Sequence, residues 1–208
     1  MNFLLSTAVV VCLRTKVEQL KQCCKRVFKR QDIHPEKQAG NIAVFRLEDV
    51  CQPHTVQMTQ RRDFYSIGLI RGSDHYHHAD NMVLPGTTLV FFNPHTSFTW
   101  GSLPVDRKGF CCMFSMPFFT VQMEEKIKAL PMFKTGGQPV HYLTGAQEKI
   151  VTDIFVHMLE EISSDYMYKY DLLRNYISQL LHLAMKVQLN SGAAPKGSNG
   201  SNNVIHTK

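Results

Sequence analysis

The sequence has no Cys-x-x-Cys, although six of its 208 residues are cysteine: Cys12, Cys23, Cys24, Cys51, Cys111 and Cys112. Two adjacent pairs and two isolated residues fit neither a zinc site nor a disulfide framework. Free thiols, buried or partly buried in a reducing compartment, are expected. The N-terminal apolar run, Phe3 to Leu13, covers 11 residues, where a bilayer span needs about 20. Cations come after that run instead of preceding it, and no Ala-x-Ala closes it, so it does not read as a secretory signal. Ser115 has no Gly-x-Ser-x-Gly around it. Gly136-Gly137 lacks the Lys-Ser/Thr that completes a phosphate-cradling loop. There is no internal repeat, and Trp occurs once, at Trp100.

A basic excess outside the leader is also lacking. The formal net charge is +6, but residues 1–30 hold seven cations and one anion, and the remaining 16 cations and 16 anions cancel. The main body therefore has no overall charge to serve as a footprint for DNA. Residues 14–30 have the spacing of a basic amphipathic helix, with Val17, Leu20, Cys24 and Val27 on one stripe, which suits a membrane-surface anchor or, more often, a peripheral helix.

The composition itself is globular, 44% apolar and 19% charged. From Asn41 to about Met116, short apolar runs alternate with turns: IAVFRL (42–47), FYSIGLI (64–70), TLVFF (88–92), SFTW (97–100) and GFCCMF (109–114). That spacing predicts a sandwich or small barrel. Several runs are apolar at every position, so both sheet faces are expected to be covered. After Pro117 the period changes. Phe118 to Leu130 reads as a short helix ended by Pro131. Thr144 and Gln147 form a capping-box pattern for a further helix. Ser163-Ser164-Asp165 breaks that helix, and another is expected from Tyr166 to Leu189, antiparallel to the first. The wide stripe Leu173, Tyr176, Ile177, Leu180, Leu181 and Ala184 is the candidate dimerisation surface, with packing inside the chain as the alternative. The last 19 residues are Gly-, Ser- and Asn-rich and are expected to be disordered.

HYHH (75–78) is the one metal-like pattern, since His75 and His77 share a strand face at ligand spacing. A polar hairpin end competes with that reading. Cys111 and Cys112 lie in an apolar run, where burial blunts a thiol. Glu124-Glu125 and Glu160-Glu161 fall on helices and read as solvated faces.

RRDFYSIGLIRGSDHYHH, LPGTTLVFFNPHTSFTW and GFCCMF together resemble the N-terminal sensor domain of AraC-type transcriptional regulators, in the form found among Bacteroidetes. SSDYMYKYDLLRNYISQLLHLAMK resembles the helix pair that comes after it there. The resemblance covers about residues 31–189. It implies an α+β fold, a cupin-like double-stranded β-barrel followed by an antiparallel helical hairpin. The implied organisation is a basic helix or leader (1–30), a β-barrel sensor domain (31–143), a dimerisation helix pair (144–189) and a tail (190–208). In metal-bearing cupins the ligands would fall at Gln60, Arg62, Ser66 and Phe98, and a guanidinium there would repel a divalent ion.

The expectation is thus a ligand-sensing and dimerisation module without enzymatic activity, cofactor or metal. Its candidate pocket is Arg62, Phe64, Ser66, Phe98 and Trp100, and Arg62 suits an anionic ligand. The family's DNA-reading domain has no counterpart after the helix pair, so a regulator truncated before that domain is expected, with no direct DNA binding. The expected partners are a second copy or a full-length relative, plus a small-molecule effector. A cytoplasmic location without membrane association is expected. The rival reading is a metal-dependent cupin enzyme using His75 and His77.

Overall fold

The computed structural model describes residues 19–27, 41–49, 62–71, 74–78, 82–84, 86–94, 98–99 and 108–192. Among the described residues, five strands form one antiparallel sheet and four α-helices accompany it. In chain order the elements are α1 (Leu20–Val27), β1 (Ile42–Arg46), β2 (Phe64–Arg71), β3 (Asp74–His78), β4 (Met82–Leu84), β5 (Thr88–Phe92), β6 (Phe98–Thr99), β7 (Lys108–Ser115), α2 (Val121–Lys128), β8 (Val140–Tyr142), α3 (Gly145–Ser163) and α4 (Lys169–Gly192). The main sheet has the order β1-β7-β2-β5-β8, and a second, three-stranded sheet has the order β4-β3-β6. The chain is therefore mixed α+β. Among the described residues the five-stranded sheet is open, with β1 and β8 at its edges.

β2 is the centre of the main sheet. Seven of its eight residues are buried, because the alternate residues of a strand point to opposite faces and here both faces are covered. One face meets the helix pair. Tyr65, Ile67, Leu69, Phe91, Phe110 and Phe114 share a buried cluster with Val151, Phe155 and Met158 of α3 and Leu173, Ile177 and Leu180 of α4. Phe110 stacks on Phe155 with ring centroids 5.5 Å apart. The other face meets α1. Phe45, Phe64, Ile70, Phe92, Cys111 and Met113 share a cluster with Leu20, Cys23 and Cys24.

The start of α3 is fixed in two ways. Thr144 and Gln147 complete the expected capping box: the Thr144 N–H donates to Gln147 Oε1 (2.8 Å) and the Gln147 N–H donates to Thr144 Oγ1 (3.4 Å). Glu148 then locks the helix to the sheet. Its carboxylate accepts from Arg71 Nε (2.6 Å) and from the Thr87 hydroxyl (2.8 Å), while Arg71 also donates to Thr152 Oγ1 (2.6 Å). The Arg71 bond, and after it the Thr87 bond, holds the Glu148 carboxyl below its ordinary pKa.

Several boundaries differ from the sequence reading. The helix expected from Phe118 begins at Val121, because Met116–Phe118 forms a 3₁₀ turn with Pro117 near its start, and Thr120 caps α2. The break between the long helices extends to Tyr168, so α4 starts at Lys169 and runs to Gly192. The Lys169 ammonium there donates to the Ser164 and Ile162 carbonyls at the end of α3, a favourable place for a cation. The HYHH segment is strand β3, which forms an antiparallel hairpin with β4 and also pairs with β6: His75 pairs with Val83 and His77 with Thr99. β8 has no counterpart among the elements expected from the sequence. The basic helix expected over 14–30 is described only as α1, and the tail beyond residue 192 lies outside the described residues.

Candidate ligand-binding face

The α1 face of the sheet combines apolar walls with a few polar groups. Phe64 and Ser66 point to it from β2, and Arg62 precedes that strand at an isolated bridge. The Arg62 guanidinium lies over the Phe64 ring, 5.5 Å from its centroid, in cation–π range. Ser66 is 3% exposed and pairs across to Met113 and Phe92. Thr88 pairs across to Ile70 and therefore shares this face. It is fully buried, and its hydroxyl has no hydrogen-bond partner among the described residues. Leaving such a group unsatisfied costs about 1–3 kcal/mol. Ser115, at the end of β7, is satisfied by Asn41 Oδ1 at 2.9 Å.

The cover over this face is α1. Leu20, Cys23 and Cys24 are buried against the sheet, while Lys21 and Gln22 are exposed. The Leu20 N–H donates to Asp63 Oδ1 at 3.0 Å, which ties the start of α1 to the segment between Arg62 and β2.

Both cysteines of β7 are held as thiols. Burial pushes the Cys111 thiol far up, with Cys23 adding to the shift and Arg62 opposing it. The Cys112 thiol, on the opposite face, is pushed up by burial as well. Neither is an activated nucleophile. Among the described residues, no group of three His, Cys, Asp or Glu side chains is placed to hold a metal. The face is thus an apolar surface with three buried hydroxyls, of Ser66, Thr88 and Ser115, and one cation at its end, a composition suited to a small, largely apolar molecule carrying a negative group.

The chain matches no protein-family model, and no curated protein matches it.

Of the five pocket residues expected from the resemblance, Arg62, Phe64 and Ser66 come together on the α1 face. Phe98 has its backbone in β6, paired with His78, and its side chain is not among the described ones. Trp100 and Gln60 lie outside the described residues altogether, as do the side chains of His75 and His77. Thr88 and Met113 were missed, because only the observed register places Met113 beside Ser66 and Thr88 beside Ile70 on the same face. Cys23 was missed too, although its three-residue spacing from Leu20 is a helical signal.

The residues read as a candidate dimerisation surface, with packing inside the chain as the alternative, contribute to the chain's own core. Leu173, Ile177, Leu180, Leu181 and Ala184 are buried inside the chain's own core, and Tyr176 is half-buried and packed against it. The exposed stripe of α4 is Asp171, Asn175, Gln179, His182 and Lys186. Among the described residues, no helix is long and apolar enough to cross a membrane.

His141 on β8 is the other buried polar residue of note. It is 2% exposed, meets the edge of Phe91 (centroids 5.5 Å apart, 87° between planes), and neither ring nitrogen has a well-formed hydrogen bond among the described residues. Burial lowers its pKa, and the Gln138 backbone opposes the shift. A histidine with a lowered pKa in the folded state is neutral there and takes up a proton on unfolding. Its contribution to stability is present above the ordinary value of 6.5 and is lost as the pH falls below it. Thermal unfolding of His141→Leu and the parent at pH 7.5 and 5.5 checks this. The parent should lose more melting temperature on acidification than the variant; equal losses would contradict the assignment.

Proposed function

We propose that this chain is the small-molecule-sensing module of an AraC-type transcriptional regulator, with the α1 face of its sheet as the effector site in a cupin-like barrel. The observation that carries the reading is the Arg62 guanidinium, 5.5 Å from the centroid of Phe64, at the end of an apolar face that also carries the buried Ser66. An anionic effector with an apolar body would pair with the guanidinium, accept from the Ser66 hydroxyl and pack on Phe64 and Phe92, which flank it. The module works by recognition, not by turnover. Effector binding would favour one arrangement of the helix pair and so bias attached or partner domains, through its different affinity for two states.

Pairing with a second copy or a full-length relative in the cytoplasm belongs to the same proposal. The surface for it must come from outside the buried stripe of α4, because those side chains are already used within the chain.

A panel of aromatic carboxylates (benzoate, cinnamate and 2-naphthoate) tests the reading. At least one member should bind saturably with one site per chain and raise the melting temperature, since a ligand that binds only the folded state stabilises it. Ser66→Ala should weaken that binding about tenfold, the loss of one buried hydrogen bond. A panel that leaves the melting temperature unmoved would count against the site.

A further inference from the structure

We propose that the outward side of α1 is a docking surface for the phosphodiester backbone of a nucleic acid, held by charge and blind to base sequence. The net charge of the chain lies in this part of it. Residues 1–30 carry seven cations and one anion, and the other 16 cations are cancelled by 16 anions. α1 itself holds three cations, at positions 21, 25 and 26, and no anion. The fold sorts this helix into two sides. Leu20, Cys23 and Cys24 are buried against the sheet, whereas Lys21 and Gln22 are exposed. With about 3.6 residues per turn, positions 25 and 26 fall on the same side as 21 and 22. The cluster Lys25-Arg26-Val27-Phe28-Lys29-Arg30 is a basic run of the kind that marks polyanion patches. Asp63 is tied to the helix through the Leu20 N–H, at the end away from Arg26.

Two anionic surfaces compete for such a helix. A membrane takes up a basic amphipathic helix by burying its apolar face at the acyl boundary, and here that face is already used against the sheet. The cationic side is left to act by charge alone. A nucleic acid duplex rewards charge alone most strongly. It carries about one negative charge per 1.7 Å of axis, and each phosphate that a Lys or Arg neutralises releases a condensed counterion. Phosphate contacts position a protein without reading bases. The expectation of no direct DNA binding concerned a reading domain, and this contact needs none. The inference is independent of whether an effector binds.

The test titrates the full chain into two labelled duplexes, one DNA and one RNA, and reads fluorescence anisotropy. At about 50 mM salt both should bind, and scrambling the DNA sequence should change the affinity by less than about threefold. Three phosphate contacts predict a loss of about fortyfold in DNA affinity on going to about 200 mM salt. Reversing the three charges of α1 together, by Lys21→Glu, Lys25→Glu and Arg26→Glu, should weaken DNA binding at least as much, about fortyfold. The same change of charge on exposed cations of the main body, by Lys126→Glu, Lys134→Glu and Lys149→Glu, should weaken it by less than about fivefold. Phosphatidylserine–phosphatidylcholine vesicles are the rival surface. Binding to the vesicles with none to either duplex would overturn the proposal. So would equal weakening by the two sets of reversals, or a DNA affinity that salt leaves unchanged. The salt series and the scrambled duplex use the parent chain, so a variant that fails to fold does not leave the question open.

Discussion

Leu180→Asp should abolish cooperative unfolding of the chain. Leu180 is fully buried in the cluster that joins α4 to the sheet and to α3. The substitution removes its packing and forces a carboxylate into a cluster of buried hydrophobic side chains. Truncating a buried Leu costs about 2–5 kcal/mol, and burying an unpaired polar or charged group adds several more. Domains of this size are stable by only about 5–15 kcal/mol, so most of that stability is lost. Gln179→Asp, one position along on the exposed stripe, should change stability by less than about 0.5 kcal/mol. Circular dichroism and calorimetry decide between them. The outcome also separates two views of α4. A stripe facing a partner chain would give a folded Leu180→Asp monomer, whereas a stripe used inside the chain gives an unfolded one.

Gly109→Ala should be the most disruptive single-methyl change in the sheet. Gly109 sits at the start of β7 with φ +143°, a conformation that L side chains rarely adopt. A Cβ there would lie 2.0 Å from the Leu69 carbonyl oxygen and 3.3 Å from Leu47 Cδ1. The first of these is backbone of the central strand and cannot rotate aside. The Gly109 N–H also donates to Glu48 Oε2 at 3.2 Å, so any shift that relieves the clash strains that bond. A loss of about 4 kcal/mol or more is expected. Gly86→Ala is the control: its φ is +75°, but nothing lies within 4 Å of the added methyl. Its cost should be only about 1–2 kcal/mol, the penalty of the left-handed conformation itself. Urea unfolding of the two variants gives the comparison, and equal losses would contradict the packing described for Gly109.

Much of this architecture was readable from local pattern. Runs such as FYSIGLI and TLVFF announce strands covered on both faces, and both faces of β2 are buried as expected. Thr144 and Gln147 announce the start of α3 because a capping box is a local device that tertiary context rarely overrides. β8, with three residues after a Gly-Gly turn, is too short to show a period of two, and only its pairing with β5 makes it a strand. The placement of Thr88 depends on a register between strands distant in the chain, which composition does not carry. The stripe of α4 shows the same limit: an apolar face signals burial, but the sequence does not say whether its own sheet or a second chain covers it. The leader was the most ambiguous segment, since a basic amphipathic helix suits a membrane surface as well as a protein. Here Leu20, Cys23 and Cys24 bury against the sheet.

The two sheet faces are covered differently, by the helix pair on one and by α1 on the other, and the proposed ligand site belongs to the α1 face. Calorimetric titration of the best-binding aromatic carboxylate into the parent chain and into Arg62→Gln tests it most directly. Saturable binding to the parent is expected, weakened at least about tenfold by the substitution, as for loss of one charge-assisted pair, with the melting temperature of the unliganded variant within a few degrees of the parent. Binding of equal strength to both chains, or heat of dilution alone for both, would contradict it.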